Sequence, residues 1–286
     1  SLIHAHDAHA HSLALLAEAV NGRAIPLVVS RRVDFPIRKS RLSRNKYHHP
    51  RVHKIICVSK AIERITAAGL DNPGVLTTVH SGIDPERFPQ GPVSGKLRQE
   101  FGIPSTTPLV GNVAALAPHK DYFTFLDTVR FLQQEGLDAR YLIIGDGPQK
   151  EEIQRYARDH GLTDVVLFTG FRSDIPEVLP ELDLFLITSE TEGLGTSILD
   201  AFACRVPVVA TRAGGIPELV EHESTGLLAP VKAPTELGAA VLRMLGDAAL
   251  RERVVATASE KLQGFTKDAM AAKTLAVYQE VVRKLS

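Results

Sequence analysis

Short runs of aliphatic and β-branched residues recur along this chain, and segments of helical periodicity separate them. In the second half the runs fall at 109–113, 141–144, 165–168, 184–188 and 207–210, all too short to be helices. Between the first two, residues 121–134 place Tyr122, Phe125, Leu126, Val129 and Leu132 on one helical face. Helices are also predicted over 149–160 and 196–204, and from Pro217 onward. Parallel strands need a crossover between them, so strand–helix–strand alternation predicts a parallel sheet covered by helices. The expectation for this half is a doubly wound α/β domain, with ligands at the carboxyl ends of its strands.

The first third shows the same alternation in a shorter form. A strand at 2–3 runs into His4, His6, His9 and His11; a helix follows over 12–20, then strands at 26–30, 54–59 and 77–80. Opening in mid-sheet predicts a first domain that lacks its start. Pro85, Pro89, Pro92, Pro104 and Pro108 mark a connector. The division read from the chain is 1–88 for a partial Rossmann-like domain, 89–105 for a linker and 106–265 for a second Rossmann-like domain. Closing helices are predicted over 234–246, 248–262 and 268–284. The last, within 266–286, is expected to pack across the domain junction.

Bulk properties exclude several classes. No apolar run approaches the roughly 18 to 20 residues of a membrane span, and no secretory signal pattern opens the chain. Cys57 and Cys204 are the only cysteines, in unrelated contexts, which argues against a disulfide framework and for a reducing cytosol. Lys+Arg and Asp+Glu balance at 33 each. That balance hides nine basic residues between 31 and 54 (Arg31, Arg32, Arg38, Lys39, Arg41, Arg44, Lys46, Arg51, Lys54) against Asp34 alone. Two readings stay open: a solvated surface helix, or a patch for an anionic surface such as lipid head groups at the inner membrane face. Only Phe35 and Tyr47 offer rings there, which argues against nucleic acid.

The segment Thr191 to Phe202 carries the most chemistry. Glu192 stands before the turn Gly193-Leu194-Gly195, and Asp200 follows eight residues later on a predicted helix. Successive amides at a glycine turn entering a helix bind phosphate, with the helix dipole adding to the attraction. Carboxylates flanking such a site repel phosphate and are suited to accept hydrogen bonds from hydroxyls. The pattern fits a ligand with phosphate in its middle and hydroxyls at both ends, a nucleotide sugar.

Four motifs in order resemble retaining GT-B glycosyltransferases of family 4. They are Ile3-His4-Ala5-His6-Asp7, His80-Ser81-Gly82-Ile83-Asp84, Ile144-Gly145-Asp146-Gly147-Pro148, and Glu192-Gly193-Leu194-Gly195 with Asp200-Ala201 and Pro207-Val208-Val209-Ala210. The resemblance covers nearly the whole chain except the family's opening segment. It implies two Rossmann-like domains and transfer, with retention, of a hexosyl-type sugar from a UDP- or GDP-type donor. No metal and no other cofactor would be needed. The implied acceptor is a glycan or lipid-linked molecule, as in cell envelope polysaccharide biosynthesis, and the implied place is the cytoplasm.

The resemblance also assigns roles. Glu192 lies near the donor sugar, Asp200 holds the ribose hydroxyls, and the amides of Gly193, Leu194 and Gly195 with the Thr196 hydroxyl hold the pyrophosphate. Lys120 balances the phosphate charge, Gly145 belongs to the donor loop, Arg172 lies where the base packs, and His6 faces the sugar from the first domain. Two departures stand out. The family has glutamate where Asp200 is, a side chain longer by about 1.5 Å, and a charge-assisted hydrogen bond contributes about 1.5–3 kcal/mol. The family's phosphate-binding arginine is replaced by Ala114 or Ala115, so leaving-group stabilisation weakens unless His119 or Arg172 substitutes.

Two other functions stay open: a nucleotide-sugar epimerase of the same fold, and a non-catalytic nucleotide-sugar or partner-binding module. The four neighbouring histidines raise a metal site, but no acid–x–acid motif or cysteine cluster accompanies them. A dehydrogenase has little support, because no Gly-x-Gly-x-x-Gly follows a strand.

Overall fold

The computed structural model describes residues 1–22, 25–37, 40–89, 91 and 93–284. Arg38 and Lys39 of the basic stretch, Gln90 and Pro92 of the connector, and residues 285–286 of the closing segment lie outside the described residues. The chain divides into two compact units: Ser1–Gly82 with Phe265–Ser286, and Ile83–Gly264.

The first unit holds a parallel sheet of β1 (Ile3–Ala5), β2 (Leu27–Arg31), β3 (Val52–Cys57) and β4 (Leu76–Thr78), in the order β1-β2-β3-β4. Crossovers run through α1 (Ala8–Asn21), α2 (Arg41–Tyr47) and α3 (Lys60–Ala67). Ser40 and Ser59 cap α2 and α3, their hydroxyls accepting from the amides of Ser43 and Ile62, which satisfies donors a helix start leaves open.

The second unit begins earlier than the connector reading placed it. Residues 83–108 pack into it because they carry apolar anchors: Phe88, Leu97 on α4 (Lys96–Glu100) and Ile103 are all buried. The buried Glu181 carboxylate accepts from the amides of Leu97 and Arg98 and from the Ser94 hydroxyl.

Six parallel strands follow: β5 (Leu109–Val113), β6 (Arg140–Ile144), β7 (Val166–Gly170), β8 (Leu184–Ile187), β9 (Val208–Thr211) and β10 (Leu227–Ala229). Their order is β10-β9-β8-β5-β6-β7. Intervening helices are α5 (Tyr122–Gln134), α6 (Lys150–Asp159), α7 (Ile175–Val178), α8 (Thr196–Ala203) and α9 (Ile216–Leu219); α10 (Pro234–Gly246) and α11 (Ala248–Leu262) follow β10. The predicted face of α5 lies in the core, with Phe125, Leu126, Val129 and Leu132 fully buried against β-strand residues such as Val110 and Leu184. Strands wind outward from β5 to β7, then cross back to β8 beside β5. That reversal opens a crevice at the carboxyl ends of β5 and β8, where doubly wound sheets bind ligands.

The last helix, α12 (Lys267–Arg283), belongs to the first unit. Its Val277 and Val281 pack on Val28 and Ile56 of the sheet, and Lys54 pairs with Glu280 at 3.0 Å. No described helix is long and apolar enough to cross a membrane. Cys57 and Cys204 are both free.

Candidate donor site at the switch point

The crevice is built from the loops that follow β5 and β8. After β5 the chain makes a 3-10 turn at Pro118–Lys120. Asp121 then adopts φ 47°, a left-handed conformation uncommon for residues other than glycine. Its carboxylate caps α5, accepting from the Thr124 amide (3.2 Å) and hydroxyl (2.6 Å). This turn is stitched to the other loop: Thr188 Oγ1 donates to the Asp121 carbonyl at 3.0 Å, and the Glu190 amide donates to the His119 carbonyl at 2.9 Å.

Held in this way, Lys120 Nζ lies 2.5 Å from Glu192 Oε1. The same oxygen accepts from the buried Ser189 hydroxyl at 2.9 Å. The Glu192 backbone is fixed too. The Gly215 amide donates to its carbonyl at 2.9 Å, and a methyl on Gly214 (φ +49°) would overlap that carbonyl. Removing one partner of a largely buried ion pair leaves a costly bare charge, so the pair holds Glu192 in place.

Gly195 has φ +86° and sits at the start of α8, so the Gly193-Leu194-Gly195 turn leads directly into helix amides. Thr196 is exposed at that start. Asp200 lies further along α8. Its Oδ1 is buried without a hydrogen-bond partner, and burial pushes the carboxyl pKa up to about 6, with Arg87 pulling the other way. An orphaned buried acceptor beside a helix-start anion site is what a hydroxyl ligand would satisfy.

The remaining predicted residues are placed as follows. Gly145 (φ +148°) packs against the Ala114 carbonyl, where any side chain would collide, so its loop sits tight on the loop after β5. Ala115 is exposed, and no guanidinium stands there. Arg172 follows β7, and its guanidinium is bonded to Asp174 (2.9 and 2.8 Å) and Glu100 (3.0 and 2.8 Å). In this structure it is occupied by carboxylates, and its hydrogen bonds, with those of Lys96, hold the Asp174 carboxyl well below the usual carboxylate range. His6 belongs to the first unit, exposed just after β1, with its ring 4.0 Å from that of His4. Among the described residues no group of three His, Cys, Asp or Glu is placed to hold a metal ion.

Much of the basic stretch is committed internally. Arg31 is buried, bonded to the Phe35 carbonyl and to Tyr47 Oη, with both rings about it. Arg44 pairs with Asp71 and Lys54 with Glu280. Charge counting along the sequence could not see those partners.

Ser189, the Gly214-Gly215 pair and Arg87 were missed by sequence reasoning. Adjacent glycines shortly after a strand were the available signal for the pair; Ser189 and Arg87 carried none.

Two wound parallel sheets with a ligand crevice at the switch point define a GT-B type architecture. The chain belongs to the glycosyl transferases group 1 family, whose model matches residues 93–261, and the glycosyltransferase family 4 model matches residues 1–87. It is 34% identical over 179 residues to the 2-deoxystreptamine glucosyltransferase of Streptomyces kanamyceticus, covering 61% of this chain and 46% of that protein. It is 27% identical over 288 residues to the N-acetyl-alpha-D-glucosaminyl L-malate synthase of Bacillus anthracis, covering 99% of this chain and 75% of that protein. HepE of Anabaena, solved in complex with UDP-glucose, superposes with TM-score 0.88 at 25% identity, covering 98% of this chain and 78% of that one.

Proposed function

We propose that this chain transfers a sugar from a nucleoside-diphosphate sugar, of UDP or GDP type, to an acceptor with retention of configuration and without a metal ion. The observation that carries the reading is the Lys120–Glu192 pair at the switch point, beside a glycine turn that opens α8. HepE, solved in complex with UDP-glucose, supports a donor of this class.

In this reading the diphosphate enters the turn and draws Lys120 away from Glu192. The amides of Gly193, Leu194 and Gly195 with the Thr196 hydroxyl hold the phosphates, and Asp200 accepts from the ribose hydroxyls. As the glycosidic C–O bond breaks, charge grows on the leaving phosphate oxygen, where Lys120 and the amides are already aimed. Glu192, released from the lysine but still held by Ser189, accepts from the sugar hydroxyls. No side chain of the crevice is an evident nucleophile, which favours attack by the acceptor on the face the diphosphate leaves, with that phosphate taking the proton. For His6 the proposal is a hydrogen bond to a sugar hydroxyl. The acceptor is a glycan or lipid-linked molecule of the cell envelope, met in the cytoplasm, with the exposed part of the 31–54 stretch at the inner membrane face.

Incubation with a panel of sugar nucleotides and simple glycoside acceptors, read by NMR of the anomeric proton, tests this. Product with the donor's configuration, lost in Glu192→Ala, is expected; inverted product or unchanged turnover in Glu192→Ala contradicts the reading.

A further inference from the structure

The first unit contains a cavity of about 320 Å³ at the carboxyl ends of its strands, between the sheet and α12. That volume is at the small end for ligand pockets. Its polar lining is His4, His6, Ser30, Arg32, Ser81 and Tyr278, over apolar side chains such as Ile56 and Met270. Among the described residues no carboxylate lines it.

The hydrogen bonds in the lining leave donors over. His4 Nδ1 lies 2.5 Å from Tyr278 Oη, and its Nε2 lies 2.8 Å from Ser30 Oγ. Burial, helped by nearby His6, lowers the His4 pKa to about 4, so the ring is neutral at pH 7, with one N–H and one bare nitrogen. Suppose Tyr278 donates to Nδ1; Nε2–H then donates to Ser30, whose own proton is free. In the other tautomer Ser30 donates to Nε2 and the Tyr278 proton is free. Either way one hydroxyl proton remains for a ligand. Arg32 adds more: one Nη2–H goes to Ser81 Oγ at 2.7 Å, which leaves further guanidinium protons and the Ser81 proton.

A pocket with a positive charge, surplus donors and no carboxylate fits a ligand rich in acceptors. We infer that this cavity is an anion-reading subsite. Arg32 and Ser81 would bind a carboxylate or phosphoryl group on the acceptor, and the His4-linked hydroxyls an oxygen beside it. The inference rests on the glycosyltransferase reading and narrows its acceptor to molecules carrying such an anion near the reacting hydroxyl.

The test is calorimetric titration of the full chain with succinate and, separately, with glycerol 3-phosphate. A Lys120→Ala background lowers the donor crevice's own anion affinity, and the difference between Arg32 and Arg32→Gln in that background isolates the cavity's share. Saturable 1:1 binding of one probe is expected, weakened at least tenfold in Arg32→Gln and largely restored in Arg32→Lys; the probe that binds says which anion is read. No binding of either probe, or equal binding in Arg32→Gln, overturns the inference. If Arg32→Gln does not fold, Ser81→Ala and Tyr278→Phe take its place, each expected to weaken binding about threefold or more, and unchanged binding in both overturns it. A parallel titration of the unmodified chain with UDP and with GDP separates the failures. Binding of either nucleotide without anion binding sinks this inference alone, whereas binding of neither sinks the donor reading.

Discussion

The two units meet ligands with opposite chemistry. In the second, the crevice between β5 and β8 gathers carboxylates, Glu192 on a short tether to Lys120 and Asp200 with an unsatisfied buried oxygen, around a turn of backbone amides. In the first, the cavity under α12 gathers a guanidinium and imidazole-linked hydroxyls and no carboxylate. Both lie at carboxyl ends of parallel strands, so the fold places them alike. What differs is the side chains the loops carry, and those decide that one half suits phosphates flanked by hydroxyls and the other an anion.

The largest effect should come from breaking the charged pair of the second unit. Lys120→Ala removes the cation aimed at the leaving phosphate, and turnover should fall by roughly 10²–10³-fold. Arg32→Gln in the first unit should instead act mainly on acceptor KM. Steady-state kinetics with both substrates varied distinguishes them, and a pure donor-KM effect of Lys120→Ala would break the contrast.

Acid should also divide the units, with opposite sign. His11 is fully buried, and burial, then the Lys46 charge, lowers its pKa to about 4. An unfolded histidine titrates near 6.5, so between those values the unfolded chain holds the extra proton. The first unit therefore loses stability as pH falls from 6.5 through 4. Asp200, raised to about 6, holds its proton in the native state after the unfolded carboxyl has lost it. Its burden on the second unit is absent near pH 4 and grows as pH rises to 6. Each effect is on the order of 2–3 kcal/mol. Amide hydrogen exchange read separately for the two units at pH 4.5 and 7 checks this, with His11→Phe and Asp200→Asn each flattening the response of its own unit.

A smaller effect isolates how Glu192 is held. Ser189→Ala deletes one hydrogen bond to its carboxylate, a loss of about 1 kcal/mol, and turnover should drop several-fold with stability little changed. Thermal unfolding alongside kinetics distinguishes this from a packing defect.

The fold was legible wherever periodicity was long. The α5 face and the closing helices match their predicted spans within about one residue. Short elements were harder: β10 (Leu227–Ala229) and α3 (Lys60–Ala67) went unread, since three apolar residues or two helical turns carry little pattern. The connector misled because prolines signal a loop, while Phe88, Leu97 and Ile103 bury against the second unit. In the site, Glu192 and Asp200 could be read because a glycine turn fixes their neighbours. Arg87 could not, because it reaches Asp200 from a distant segment, and Ser189 could not, because only the folded loop turns its hydroxyl onto the Glu192 carboxylate three residues on. Arg172 shows the same limit: its partners Glu100 and Asp174 come together only in the fold.

The most direct measurement is thermal unfolding against UDP, GDP, ADP and TDP, repeated in Asp200→Ala and Lys120→Ala. One diphosphate at about a hundred times its dissociation constant should stabilise the chain by about 2.7 kcal/mol. The shift should disappear in Asp200→Ala and shrink in Lys120→Ala. A folded chain that no nucleotide stabilises, or one stabilised equally with and without Asp200, would contradict the donor site described for the crevice.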